Sequence, residues 1–284
     1  MALTQRSPAA AQSLAAAIET RHPGAAVILY GSGASVLAGA DPGSLLYDFY
    51  VIEPVYAARA RSHRLLNRLL PPNVYYIEAE GGRLRAKYAV LSIAHLERLV
   101  SKRTFHSYFW ARFAQPCRIV AAPDALSARI LACVETAIDV FVARSAPLVG
   151  AEAGVRALWR AGLSRSYRAE LRAEQPDRVE RLLAAYGDWP ERVTLPFEEP
   201  SAGKARAETA WRVRSVQGAI LSAARLLKAT ITFEGGVDYI AWKIGRHAGF
   251  ELPVREWERR WPFFAAPILA ERYYRLRRRA RRAA

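Results

Sequence analysis

The sequence is poor in cysteine and histidine. Its two cysteines, Cys117 and Cys133, have no metal-ligand spacing and no disulfide framework around them, which favours a reducing compartment. We expect both to be thiols in the core. The five histidines fall on different segments without a paired spacing, so we do not expect a zinc hydrolase.

Long hydrophobic runs are also lacking. No window reaches roughly 18 consecutive apolar residues, so the sequence predicts no membrane-spanning helix. The N-terminal segment "MALTQRSPAAAQSLAAAIETRHPG" is too broken by Gln, Ser and Glu for a signal peptide. We interpret it as an amphipathic helix in a soluble or peripheral protein.

Acidic residues are scarce relative to basic ones. Asp and Glu together number 26 against 42 Lys and Arg, a formal net charge of +16. Such an excess attracts polyanions whatever the fold, and the candidates are nucleotides, RNA or an anionic membrane surface. Composition does not separate these partners, and an arginine-rich composition without functional content is the alternative.

Apolar residues make up 52% of the chain, enough for a proper core. Strand signals come early, at Ala25–Tyr30, Tyr47–Ile52, Asn73–Glu80 and Leu84–Ser92. Helical spacing of apolar residues dominates later, at Ile93–Phe113, Asp124–Pro147, Gly154–Glu174 and Ala207–Ala229. The pattern predicts an α+β fold, with a mixed sheet and flanking helices in residues 1–120, a helical domain in 121–260, and a basic amphipathic C-terminal segment in 261–284.

The stretch from Leu29 to Glu53, "LYGSGASVLAGADPGSLLYDFYVIE", contains the clearest candidates for phosphate-binding and metal-binding residues. An apolar strand ends in Gly-Ser-Gly, and Asp48 stands near the start of the next strand. An ionised carboxylate among buried apolar side chains needs a partner or a metal. Glycines let a backbone approach phosphate closely, and carboxylate oxygens suit magnesium. The alternatives are an ordinary turn at the glycines and a turn-capping role for Asp48.

This layout resembles the nucleotidyltransferase superfamily. The resemblance implies that Ser32 and the amides of Gly31 and Gly33 hold a triphosphate, and that strand carboxylates hold Mg²⁺. The superfamily usually has two acids at i and i+2, whereas here the second position is Tyr50. A second metal ligand then comes from elsewhere, and the candidates are Glu53, Glu170 and Glu174.

Three blocks in the same order resemble the mitochondrial-type phosphatidate cytidylyltransferases, which have bacterial relatives. The blocks are "YGSG" with "YDFYVIE", then "KYAVLS" with "FWARFAQP", then "QGAILSAA" with "DYIAWKIGR". They span roughly Leu29 to Arg246. The sequence departs from the family pattern at Ala111, Gln115 and Gln217, where the family has Gly, Lys and Lys.

The resemblance implies an enzyme that transfers a cytidylyl group from CTP to phosphatidate, releasing pyrophosphate. Asp48 and Glu53 would hold Mg²⁺, Lys87 and Arg112 would offset charge in the transition state, and Lys243 would contact the nucleotide. For Lys87 a snorkelling lysine at a sheet edge is the alternative. The implied location is cytoplasmic and peripheral on the inner membrane.

Two other functions remain open at this point. One is a nucleotidyltransferase that acts on RNA or a small molecule. The other is a noncatalytic basic protein that binds nucleic acid or an anionic membrane. The resemblance makes CTP, a lipid phosphate and an anionic membrane surface the expected partners, rather than nucleic acid.

The C-terminal segment "WPFFAAPILAERYYRLRRRARRAA" joins an apolar and aromatic cluster to a run of arginines. This combination is typical of peripheral binding to anionic bilayers. A last core helix with a solvated basic tail, or a tail that binds RNA, would have the same composition.

Overall fold

The architecture is α+β, as the sequence predicts. A computed structural model describes residues 7–31, 41–56, 61–150, 153–170, 177–195, 203–232, 236–248, 252–260, 267–269, 271–276 and 278. Within this part of the chain, a mixed five-stranded sheet is flanked by helices and followed by a helical C-terminal region.

The strands run β3-β4-β2-β1-β5 across the sheet. Their bounds are Ala26–Tyr30 (β1), Leu46–Glu53 (β2), Asn73–Ala79 (β3), Leu84–Ser92 (β4) and Cys117–Ala121 (β5). β2 and β4 are parallel, and every other neighbouring pair is antiparallel. Four strands match the predicted ones within two residues. The fifth was not predicted, because β5 is a short edge strand that is mostly half-buried and shows no clean alternation.

The helices dominate the rest of the chain. They are α1 (Ala9–Arg21), α2 (Arg61–Leu69), α3 (Ile93–Val100), α4 (Trp110–Phe113), α5 (Asp124–Ser145), α6 (Gly154–Arg168), α7 (Arg178–Tyr186), α8 (Trp189–Val193), α9 (Lys204–Thr232), α10 (Gly236–Ala248) and α11 (Glu256–Arg260). Short 3-10 turns occupy Pro42–Ser44, Glu80–Gly82 and Ala146–Leu148, and residues 267–269 and 271–276 are also helical.

Each face of the sheet has its own core. One face packs against α1, where Leu14 and Ile18 meet Phe49 and Val51 of β2. The opposite face packs against the helices that follow β4, and its cluster extends from Tyr50 to Trp211 of α9. Residues on both sides of position 120 belong to this second cluster, and the predicted domain boundary there stays a prediction.

Side chains alternate between the two faces, and this alternation positions the candidate site. Tyr30 of β1 lies opposite Asp48 of β2, and Asp48 lies opposite Lys87 of β4. Because the three residues are in register on adjacent strands, they form one row. This row lies on the face that packs against the helices after β4.

Two further expectations concern the cysteines and the membrane. Cys117 and Cys133 are both buried free thiols, as predicted, and burial raises the pKa of each to about 12. No helix in the described ranges combines the length and the apolar character needed to cross a bilayer.

Candidate active site

The candidate site begins where β1 ends at Gly31. This glycine has a positive φ of 74°, and a Cβ placed on it would lie 3.7 Å from Oδ2 of Asp48. A side chain here would be strained because of the positive φ, and it would lie in van der Waals contact with the carboxylate. Ser32 and Gly33, the other residues of the predicted phosphate loop, lie outside the described residues.

Asp48 and Lys87 form an ion pair across the parallel strands, with 3.2 Å between Oδ1 and Nζ. Lys87 is not at a sheet edge, because β4 lies between β3 and β2. Burial lowers the pKa of Lys87, but the Asp48 carboxylate outweighs it with help from nearby tyrosines, so the pKa is raised overall. Lys87 therefore stays charged at neutral pH.

Arg112 approaches the same row from α4. It is paired with Glu170, which follows α6, and both side chains are largely buried. Its guanidinium lies over the ring of Tyr108 at 4.6 Å and that of Tyr30 at 5.8 Å. Burial lowers the pKa of Arg112, but the Glu170 carboxylate together with three nearby tyrosines more than reverses this, so the pKa is raised overall and the guanidinium is charged.

Tyr30 connects the two ion pairs. Burial raises its pKa to about 12, and the negative charge of Asp48 adds to this effect. The phenol is therefore neutral near pH 7 and is available to donate a hydrogen bond. It lies between Asp48, its partner in the strand register, and the guanidinium of Arg112.

Tyr30, Lys87 and Arg112 line a cleft of about 390 Å³ between the sheet and α9. The charged side chains in its lining are Lys87, Arg112, Glu170, Arg225 and Lys228. Four basic side chains thus accompany one acid, and Asp48 lies beside the lining through its ion pair with Lys87. The cleft suits a ligand with several negative charges, such as a phosphate chain.

Sequence reasoning missed Arg225 and Lys228. Their spacing of three residues places them on one side of α9, but such a pair is equally common on solvated helices. Only the packing of α9 against the residues before β3 identifies them. Lys228 donates hydrogen bonds of 2.6 Å to the carbonyls of Leu70 and Pro72.

The structure does not bring Glu53 to this cleft. It ends β2 five positions after Asp48, on the opposite face, where its Oε1 lies 2.7 Å from Nδ1 of buried His22. Glu170 does lie in the cleft, held by Arg112. Glu174 is outside the described residues. Lys243 belongs to α10, but its side chain is outside the described part of the structure.

Gln115 occupies the position where the resembled family has lysine. Its Oε1 accepts hydrogen bonds from the hydroxyls of Tyr167 at 3.2 Å and Tyr186 at 2.7 Å, and its Nε2 donates to the carbonyl of Ala111. An ammonium group could not accept those two hydrogen bonds. Gln115 therefore has a packing role among the helices.

Asp48 is the residue here that could hold a metal ion. Its Oδ1 is buried and makes no hydrogen bond of good geometry within the described residues, although Lys87 is close. Those residues contain no group of three His, Cys, Asp or Glu side chains that could form a complete metal site. Mg²⁺ often takes only one or two protein carboxylates and completes its shell with phosphate oxygens and water. The donor set at Asp48 fits that mode of binding.

The geometry describes a basic cleft with the Asp48 carboxylate, which is suited to magnesium, at its side. Comparison with known proteins assigns it no family, since no protein-family model matches the chain and no curated protein matches it either.

Proposed function

We propose that this protein is a magnesium-dependent nucleotidyltransferase that moves a cytidylyl group from CTP to phosphatidate or a related lipid phosphate. The observation that supports the proposal is the placement of Asp48 and Lys87 on adjacent strands, with the Gly31 turn on one side and the guanidinium of Arg112 nearby. Two cations, Lys87 and Arg112, line the cleft, and the Asp48 carboxylate and the Gly31 turn lie next to Lys87 at its side. The resemblance of the three sequence blocks supports the choice of CTP and of a lipid phosphate.

The proposed reaction needs charge stabilisation more than proton transfer. An ionised oxygen of the acceptor phosphate attacks the α-phosphorus of CTP, the bond to the β-phosphate oxygen breaks, and pyrophosphate leaves. A bound Mg²⁺ would neutralise charge on the triphosphate. Lys87 and Arg112 bind phosphate oxygens and offset the charge that develops in the transition state.

Asp48, Glu170 and Tyr30 position the cations and the phosphates. Asp48 provides the metal-binding oxygen and holds the ammonium of Lys87 in place. Glu170 orients the guanidinium of Arg112. Tyr30 donates a hydrogen bond to phosphate, because its raised pKa keeps its proton in place. With the acceptor already ionised near neutral pH, the site needs no strong general base.

The function can be tested by pyrophosphate release from CTP. We expect release that requires both Mg²⁺ and a short-chain, water-soluble phosphatidate, with ATP, GTP and UTP as comparison substrates. Release that depends on RNA would favour the alternative transferase. Binding of anions without any release would favour a noncatalytic basic protein.

The first prediction separates Asp48 from Glu53. Asp48→Asn removes the charge that attracts Mg²⁺, so we expect kcat to fall at least about a hundredfold with little change in Tm. Glu53→Gln weakens a buried hydrogen bond to His22, so we expect near-normal kcat with stability lowered by about 1 kcal/mol. Kinetics and thermal melts measure both.

Asp139→Asn is the matched control, because this carboxylate is exposed on α5. It should leave both kcat and Tm unchanged. Normal turnover by Asp48→Asn would contradict the proposed metal site. Loss of turnover by folded Glu53→Gln would return Glu53 to the list of metal ligands.

The proposal includes a location. A lipid phosphate lies at a bilayer surface, and a net charge of +16 favours an anionic one. We infer a cytoplasmic protein that is peripheral on the inner membrane.

A further inference from the structure

Arg225 of α9 is held in one orientation at the wall of the cleft. Its Nε donates a 2.9 Å hydrogen bond to the carbonyl of Pro71, and its guanidinium lies over the ring of Tyr108 at 4.1 Å. Its Nη1 is buried and has no hydrogen-bond partner among the described residues. The hydrogen bond from Nε and the contact with the Tyr108 ring fix the guanidinium, and its buried Nη1 can still donate a hydrogen bond. This arrangement is suited to binding an anion.

The surroundings of Arg225 do not neutralise it. The charged groups near it are Arg112, Lys228 and Glu170, and Glu170 is engaged by Arg112. His106 is also close, and burial together with the charge of Arg225 lowers its pKa to about 4, so it is neutral near pH 7. The positive charge of Arg225 is therefore in excess, and a buried charge of this kind requires a partner.

Part of the lining near Arg225 is apolar. Val74 and Ala89 contribute from the sheet, and Leu226 and Ala229 from α9. Leu226 is 68% exposed, so this apolar wall continues to the outer surface of the helix. A free anion would gain nothing from such a wall, whereas an anion with an apolar body would bury area against it.

We propose that Arg225 binds the phosphate of the acceptor substrate, a phosphate monoester whose apolar body lies along Leu226 and Ala229. The nucleotide phosphates lie on the opposite wall, against Lys87 and next to its ion-pair partner Asp48. Two phosphates held on facing walls of one cleft are placed for attack of one on the other. This assignment rests on the proposed transferase function and adds the acceptor subsite to it.

The test compares Arg225→Gln with Arg212→Gln, an exposed arginine on the same helix. The first readout is calorimetric binding of dihexanoyl phosphatidate, of glycerol 3-phosphate and of CTP. The second is KM for each substrate and kcat in the pyrophosphate assay. Circular dichroism and thermal melts establish that each variant is folded.

We expect Arg225→Gln to weaken phosphatidate binding and to raise its KM by roughly 10- to 100-fold, with CTP binding unchanged. Arg225→Lys should recover part of this loss, because the charge returns without the two-pronged donor geometry. Arg212→Gln should behave as wild type. Glycerol 3-phosphate should bind more weakly than phosphatidate, because it has no apolar body.

Unchanged phosphatidate binding by folded Arg225→Gln would overturn the assignment, and so would an equal loss for CTP. Equal affinity for glycerol 3-phosphate and phosphatidate would overturn the apolar part of it. Direct binding does not require turnover. If phosphatidate binding depends on Arg225 but no pyrophosphate is released, the transferase function is rejected and the anion site is kept. If turnover occurs and does not depend on Arg225, the transferase function is kept and the anion site is rejected.

Discussion

Lys228 lines the cleft and also affects the stability of the fold. Its ammonium is buried, at 6% exposure of the residue, and donates to two backbone carbonyls in the segment before β3. Burial, together with the nearby charge of Arg225, lowers its pKa from 10.5 to about 7. Close to neutral pH the residue thus passes between a charged and a neutral form, either of which can donate hydrogen bonds.

This titration predicts a pH-dependent stability. The folded pKa lies below the unfolded one, so between about pH 7 and 10.5 the unfolded chain binds the extra proton. The cost of burying the charge is complete below pH 7 and disappears as the pH rises. Relative to Lys228→Met, the wild type should gain on the order of 1–2 kcal/mol in free energy of unfolding from pH 7 to pH 9.

Urea unfolding at several pH values measures this difference. Lys204→Met serves as the control, since Lys204 is exposed at the start of α9. Its unfolding free energy should follow that of the wild type at every pH. Parallel curves for wild type and Lys228→Met would show that Lys228 does not titrate in this range.

At the scale of elements, the sequence predicts well where the signal is local. The apolar runs of β2 and β4 identify both strands, and they place Asp48 and Lys87 on strands that turn out to be adjacent. Arg112 was predicted for the same site from the sequence block "FWARFAQP". Side chains five residues apart on one strand point to opposite faces of the sheet. The spacing of Asp48 and Glu53 therefore already argues, from sequence alone, against one metal site shared by both.

Other parts of the site depend on packing that the sequence does not encode locally. Arg225 contacts Pro71, more than a hundred residues earlier in the chain. Such long-range placement follows from the core between α9 and the preceding helices, where Trp110 and Trp211 meet edge to face. Periodicity predicts that α9 is a helix but not which element it packs against.

At Gly218, α9 lies tightly against the residue that follows α6. A Cβ at this position would lie 2.2 Å from the backbone oxygen of Ala169, the residue before Glu170. Gly218→Ala must therefore displace α9 or the end of α6. We expect a loss of about 1–3 kcal/mol in stability, measured by urea unfolding, and a marked fall in turnover because Glu170 and Arg225 shift relative to each other.

The control for this change lies just before the same helix. Gly203 has open space around its Cβ position, so Gly203→Ala should leave both stability and turnover nearly unchanged. If Gly218→Ala matched Gly203→Ala in both measurements, the close approach of the two helices would not determine the cleft.

At the scale of the whole molecule, the excess of arginine is divided between structure and surface. Arg272 binds the buried carboxylate of Glu258 through two nitrogens, at 2.5 and 3.0 Å, so this arginine of the C-terminal segment has a structural partner. Arg275, one turn later, pairs with Glu271 at an exposed position. The arginines at 277, 279, 281 and 282 lie outside the described residues.

The last prediction concerns that segment. Deleting Tyr274–Ala284 removes six arginines and keeps the pair between Arg272 and Glu258. We expect the truncated protein to fold with an unchanged Tm and to sediment less with vesicles rich in phosphatidylglycerol. Each basic residue near an anionic surface contributes about 1 kcal/mol, and salt screens this attraction, so the difference should be largest at low ionic strength.

Two comparisons separate charge from structure in this experiment. A full-length variant with the six arginines changed to glutamine should bind vesicles as weakly as the truncated protein, and neither should lose activity on soluble phosphatidate. Equal vesicle binding by the truncated and intact proteins would contradict a membrane role for the segment. An equal loss of activity on soluble and bilayer substrates would show instead that the segment supports the fold, because a surface contact affects only the substrate that is presented on that surface.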